Sequence, residues 1–222
     1  MLLDSRRLAQ PNQKTLADRL IGRLDRILRV VLPVETGSSK ASPVATCPDP
    51  HLNTKQMRHS AALIRVNHSG EVCAQALYVG QSITARSPEL QESLQKAALE
   101  EREHLHWCAE RLDELKARPS LLNPLWMTGS LAIGVTAGLF GDGVSLGFVE
   151  ETERQVCHHL DGHLAKLCPE DLRSRAILTT MLADEARHAD NAVRSGAQRL
   201  PGPVKYLMKI HAKLMTKSSY WI

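Results

Sequence analysis

The sequence predicts an all-α protein, and three observations carry that expectation. Apolar residues recur at steps of three and four through most of the chain and do not alternate. Leu, Ala, Glu, Arg and Gln, all good helix formers, fill the positions between them. Aromatic residues, which strands favour, make up 4% of the 222 residues, and no hairpin-turn signature joins two β-like runs. Hydrophobic content of 43% is enough to bury a substantial core.

Residues 1–14 carry no periodic pattern, and Met1-Leu2-Leu3 is too short to form the apolar region of a secretory signal. From Thr15 to about Val31, Leu16, Leu20, Leu24, Ile27, Leu28 and Val31 form one stripe, and Thr15 with Asp18 has the spacing of a capping box. Arg19, Arg23, Arg26 and Arg29 make the opposite face basic, which suits either docking on the rest of the protein or lying on an anionic membrane. Pro33 to Pro50, rich in Ser, Pro, Thr and Gly, reads as a linker. The expected organisation is therefore an N-terminal amphipathic helix and linker over 1–50 and a main domain over 51–222.

The first long helix is expected from about Thr54 to Arg86, with Glu71 in line with Ile64, His68, Gln75 and Tyr78. Pro88 opens a second, running to about Arg118. Its core stripe reads Leu90, Leu94, Ala97, Glu101, His104, Cys108, Leu112 and Leu115, so Glu101 and His104 share the inward face. A second Glu-x-x-His recurs on the stripe Leu178, Met181, Glu185, His188, Ala192 and Ser195. Spacing of three places a carboxylate and an imidazole where one ion can meet both. Inward carboxylates are costly unless paired or metal-bound, so two such pairs point to a metal site. The rival pair Glu103 and His106 lies in line with Glu110 and Asp113, on the expected solvated face.

Between the two Glu-x-x-His helices, Ser120 to Gly141 carries no charge. Its length matches a bilayer span, but Asn123, Pro124, Thr128, Ser130, Thr136 and the glycines make it a poor one. A crossover that dips into the membrane interface is preferred over one packed on the bundle or one that spans; Gly134 and Gly138 permit close helix contact or a flat apolar channel wall. After Pro201-Gly202-Pro203, a last helix carries Lys205, Lys209, Lys213 and Lys217 on one face and Leu207, Ile210 and Leu214 on another, with no acid after Asp190. Together with Tyr206, Tyr220 and Trp221, this reads as a helix attracted to anionic lipid. Nothing supplies a nucleic-acid recognition helix or a stacking platform. Cys47, Cys73, Cys108, Cys157 and Cys168 are odd in number and form no C-x-x-C pair, and they read as reduced thiols, most of them in the core.

Arg65-Val-Asn-His-Ser-Gly-Glu71, Tyr78-Val-Gly-Gln81, Glu101-x-x-His104, Pro124-Leu-Trp126 and Glu185-x-x-His188 together resemble the ferritin-like di-iron demethoxyubiquinone hydroxylases of ubiquinone biosynthesis over residues 51 to 217. The resemblance implies a ferritin-like four-helix bundle of two hairpins joined by the long apolar crossover, with the N- and C-terminal helices as additions. It implies six metal and catalytic residues: Glu71, Glu101, His104, Glu153, Glu185 and His188. The spacing supports a repeat, since Glu71 precedes Glu101 by 30 residues and Glu153 precedes Glu185 by 32. Glu150 and Glu151 compete with Glu153, but Leu146, Val149, Glu153, Val156, Leu160 and Leu167 share a stripe that neither joins as well. Two departures are Asn67, where the family often has Asp, and Val72-Cys73-Ala74 after the first Glu.

Two iron ions per chain are the implied cofactor, and four Glu carboxylates balance the charge of two Fe(II). His104 and His188 are then neutral ligands, and the acids Glu100 and Asp184 are placed to accept the spare ring N–H of the His on the opposing helix. The implied activity is a monooxygenase using O2 and two electrons on a membrane-dissolved polyprenylated demethoxyubiquinol. The enzyme would be peripheral on the cytoplasmic face of the cell membrane, alone, as a homo-oligomer or in a biosynthetic complex. The alternatives are a ferroxidase or peroxidase of the ferritin and rubrerythrin kind, and a non-catalytic metal-stabilised module that binds lipid.

Overall fold

In the computed structural model, residues 42–48 and 51–222 are described, and every regular element among them is a helix. The N-terminal helix expected over Thr15–Val31 and most of the linker lie outside the described residues. The elements are α1 (Thr54–Thr84), α2 (Pro88–Glu114), α3 (Asn123–Leu139), α4 (Asp142–Leu164), α5 (Leu172–Arg194) and α6 (Gly202–Trp221). Helices α1 and α2 form one hairpin, α4 and α5 the other, and α3 is the crossover between them.

Local chemistry sets the helix starts. Asn53 caps α1 in a reciprocal box with Gln56. Ser87 accepts from the Leu90 amide while Pro88 occupies the first turn of α2, where its missing N–H costs nothing. Asp171 caps α5 through the Ser174 amide and also accepts from Arg111 at 2.8 Å, tying the far ends of α2 and α5 together. At the other end, the Asp142 carboxylate accepts from the Arg86 and Ser87 amides, both at 2.9 Å, so the α1–α2 turn is clamped to the start of α4. Gly141, at φ +107°, makes the sharp entry into α4 that a side chain would strain.

Helix α1 is the axis of the fold. It packs against α2, α3, α6 and, more lightly, α4, and its buried residues fall on every face: Ser60 to Ile64, Val66 to Ser69, Glu71, Ala74 and the run Ala76 to Ser82. The uncharged stretch explains this burial, because α3 lies along the side of α1 that would otherwise meet water. At Gly134, a Cβ would collide with the backbone carbonyl of Leu77, and at Gly80 with the backbone of Leu131. Of the two expectations for Gly134 and Gly138, close helix contact therefore holds and a channel wall does not. Asn123 pins the start of α3, accepting from Ser69 at 2.7 Å and lying 3.2 Å from His68 Nδ1.

Along the bundle axis there are three zones. The apolar core, with Ile64, Trp107, Leu112, Leu160, Ile177 and Met181, fills one end. The Glu and His residues come next, and at the other end a cleft opens between α2, α4 and α5. Two details of the expected stripes differ: Ala97 is only half-buried with Ala98 taking the core place, and Ser195 is exposed because α5 ends at Arg194. Of the five cysteines, all free, only Cys108 is fully buried; Cys73 on α1 and Cys157 on α4 are half-buried, as are Cys47 and Cys168 in loops.

Candidate metal centre

The six residues expected from the resemblance come together in the middle of the bundle. Glu101, His104 and Glu153 have no solvent exposure, and Glu185, Glu71 and His188 have 7% or less. Four helices supply them. Glu101 and His104 share one face of α2, as Glu185 and His188 do on α5, while α1 and α4 each contribute one glutamate. Glu150 pairs with Arg154 and Glu151 with Lys205, so neither competitor enters the cluster.

Their ligand atoms form two overlapping groups, each within 4.8 Å: Glu71, Glu101, His104 and Glu185, and Glu101, Glu153, Glu185 and His188. Glu101 and Glu185 belong to both. The imidazoles present the same nitrogen inward: His104 Nδ1 lies 3.0 Å from Glu185, 3.3 Å from Glu101 and 3.5 Å from Glu71, and His188 Nδ1 lies 3.2 Å from Glu185 and 3.4 Å from Glu101. Both Nε2 atoms turn outward to acids on the opposing helix, His104 to Asp184 at 3.2 Å and His188 to Glu100 at 2.7 Å. Both acids occupy the places expected of them. Sequence reasoning missed Arg187, whose Nη2 donates to Asp184 at 2.6 Å and to Glu100 at 3.3 Å, so one guanidinium supports both outer carboxylates. Its place three residues after Asp184 was the available signal.

Electrostatics show what these side chains lack. Burial pushes the carboxyls of Glu71 and Glu153 well above the usual carboxylate range; the charges of Glu101 and Glu185 push Glu71 the same way, and those of Glu185 and Glu71 push Glu153. Burial would raise Glu101 too, but hydrogen bonds from His104 and His188 outweigh it and hold Glu101 below that range. Burial alone would lower His188, yet Glu101 and Glu185 raise it to about 11, and His104 is raised by Asp184, Glu101, Glu185 and Glu71 in the same way. Among these side chains alone, protons supply the positive charge that four close carboxylates require. Both oxygens of Glu153 are buried with no hydrogen-bond partner among the described residues, and Glu71 Oε2, Glu101 Oε1 and Glu185 Oε1 are buried facing the inward Nδ1 atoms at 3.0–3.5 Å. Oxygens left so, beside inward Nδ1 atoms, fit divalent metal ions of the carboxylate-preferring kind. Cys73 is not among these ligands, and burial holds its thiol up at about 11.

Residues 58–219 match the family described as ubiquinone biosynthesis protein COQ7. The chain belongs to that family. Proteins named 3-demethoxyubiquinol 3-hydroxylase are similar to it over nearly its whole length. That of Chromobacterium violaceum is 54% identical, covering 91% of this chain and 98% of its own. That of Pseudomonas paraeruginosa is 51% identical (92% and 95%), and that of Azotobacter vinelandii 49% (97% and 100%). Among solved structures, the dodecameric thioferritin of Bacteroides fragilis superposes with a TM-score of 0.53 at 19% identity, covering 64% of this chain and 85% of its own. The chain thus has the ferritin-like fold expected of it.

Proposed function

We propose that this COQ7-family enzyme is a di-iron monooxygenase that hydroxylates the ring of a polyprenylated demethoxyubiquinol, using O2 and two electrons. The observation that carries the reading is the pair of four-residue ligand groups sharing Glu101 and Glu185, in a chain whose relatives are named as demethoxyubiquinol hydroxylases. Glu71 and His104 Nδ1 would hold one ion and Glu153 and His188 Nδ1 the other, with Glu101 and Glu185 shared. Two ferrous ions held there would supply both electrons for reduction of O2 at one place.

The protein's own groups do the rest. Asp184 and Glu100 take the ring Nε2–H of His104 and His188, which fixes each tautomer and leaves the Nδ1 lone pair facing inward. Burial of all six residues excludes bulk water, which strengthens every interaction inside the site and protects reactive species from side reactions.

The substrate class also accounts for the surface. No helix among the described residues is long and apolar enough to cross a membrane. Even so, Leu121, Leu125, Leu139 and Phe140 around α3 and Leu207, Ile210 and Leu214 on α6 are exposed, Phe140 to 73%. The two helices are linked by an edge-on contact of Trp126 with His211. An apolar face of this kind beside Lys209, Lys213 and Lys217 supports peripheral docking on the anionic cytoplasmic face of the cell membrane.

The deciding experiment is anaerobic loading with Fe(II), a pulse of O2 and mass analysis of a demethoxyubiquinol substrate. A ring hydroxyl carrying the label of 18O2 is the expected result, lost in Glu185→Ala and retained in His106→Ala, whose side chain lies on the surface beside Glu110. Consumption of O2 with oxidised iron and no hydroxylated product would mean a ferroxidase and sink the proposal.

A further inference from the structure

On the core side of the metal ligands stands an indole. Trp107 follows His104 by three positions on α2 and shares its inward face. The two rings are tilted by 42° with centroids 5.3 Å apart. Trp107 is 1% exposed, and its Nε1–H is buried without an acceptor among the described residues. An unpaired buried donor is costly, and a phenylalanine would fill the same place in the core without it. Packing therefore does not account for an indole here.

Tyr78, Cys108 and Met181 are also oxidisable and close to the ligands, yet each is less suited to give up an electron. Tyr78 meets His188 edge-on at a longer 6.5 Å, and its hydroxyl is likewise buried without a partner. An oxidised phenol is strongly acidic and sheds its proton as the electron leaves, and here no acceptor waits for it. Cys108 and Met181 lie one helical turn from His104 and Glu185, with their sulfurs 3.9 Å apart. Burial pushes the Cys108 thiol up, so it is not the readily oxidised thiolate, and a thioether gives up single electrons reluctantly. An indole can lose an electron and keep its Nε1 proton, so the missing acceptor is no hindrance to Trp107.

We infer that Trp107 is an internal electron donor to the metal centre, used when O2 is reduced there and no quinol is present to take up oxygen. The inference rests on the part of the proposed function that brings iron and O2 to this site. Reduction of O2 to two water molecules takes four electrons and four protons. Two ferrous ions supply two electrons; in hydroxylation the substrate supplies the others, and without it two are missing. Trp107 supplies them one at a time across its ring contact with His104, each time becoming the indole cation radical. A one-electron reductant such as ascorbate returns each electron, and the protons come from solvent. The ligands are thereby spared the oxidation that unspent oxidising equivalents would cause.

The test uses the full chain loaded anaerobically with Fe(II), given O2 without quinol and freeze-quenched. The expected result is a radical signal in electron paramagnetic resonance that narrows when the tryptophans are ring-deuterated. It should be lost in Trp107→Phe and kept in Trp126→Phe, Trp221→Phe and Tyr78→Phe, while the iron stoichiometry of Trp107→Phe stays that of the parent. Repeated cycles should leave oxidised indole at Trp107 by peptide mass, and ascorbate should suppress it. If Trp107→Phe does not fold, deuteration of the parent with the Trp126 and Trp221 variants assigns the signal by elimination, since the chain has 3 tryptophans. A signal that survives in Trp107→Phe overturns the inference, as do a tyrosyl signal and oxidation confined to Cys108 or Met181. Full oxidation of the iron with neither a radical nor an oxidised indole overturns it too. Because the radical experiment contains no quinol, failure of the parent to hydroxylate demethoxyubiquinol is a separate outcome that overturns the proposed function alone.

Discussion

Glu100 and His188 stand 88 positions apart in sequence and 2.7 Å apart across the bundle. The same relation holds between Asp184 and His104 at 3.2 Å, so each Glu-x-x-His helix orients the histidine of the other. An imidazole whose Nε2–H is fixed by a carboxylate is a better Nδ1 donor and is held in one orientation.

Glu100→Gln and Asp184→Asn should each weaken iron binding about 10- to 100-fold without removing a ligand. Competition with a chelator of known affinity checks this. Arg187→Gln should have a smaller effect in the same direction, because Arg187 is partly exposed and acts only through the two acids. Parent affinity in both acid variants would mean that the outer carboxylates are bystanders.

The contact between α1 and α3 gives a paired prediction. Gly134→Ala should destabilise the fold by about 1–3 kcal/mol, since its Cβ would strike the backbone of Leu77 and one helix must move. Gly129→Ala, in the same helix with nothing within 4 Å, should stabilise by up to about 1 kcal/mol. Denaturant midpoints of the two variants should therefore move in opposite directions.

Acid sensitivity should arise partly from His163. Burial is the main cause that lowers it from 6.5 to about 3, and it lies 3.0 Å from Asn67 Oδ1, an acceptor that its neutral Nδ1–H satisfies. A histidine depressed in the folded state favours folding fully above its unfolded value and loses that contribution as pH falls through the folded one. The contribution should therefore vanish between about pH 6.5 and 3. Stability of His163→Gln, measured by denaturant against pH, should slope less steeply across that window than the parent's. Identical slopes would remove His163 from the acid transition.

Membrane docking predicts that reversing Lys209, Lys213 and Lys217 to Glu releases the protein from anionic vesicles and leaves iron binding intact. Each basic residue at such a surface contributes about 1 kcal/mol at low salt. Lys205 is left out because it is held by Glu151 at 2.6 Å and is not free for lipid. Turnover of a long-tailed quinol should fall while that of a short, soluble one survives. Co-flotation equal to the parent's would remove α6 from the membrane contact.

Sequence alone determined the amphipathic helices and the inward direction of their Glu-x-x-His pairs. Helix periodicity is local: on α2 and α5, one face meets the core and one meets water, so Leu94, Glu101, His104 and Leu112, and likewise Leu178, Glu185 and His188, could be assigned by counting. The same count failed to read α1, because its second face is covered by α3 and no polar side remains to contrast with. There Glu71 was identified by resemblance, whereas Glu153 was separated from Glu150 and Glu151 by resemblance together with the stripe of Leu146, Val149, Val156 and Leu160 that it shares. Only the tertiary structure decided that Glu101 and Glu185 fall in both ligand groups, that Arg187 spans the two outer acids, and that the Tyr78 hydroxyl is buried without a partner. Each of those facts concerns residues from different helices, and distance across a bundle is set by how hairpins dock, which no periodicity along one chain segment records.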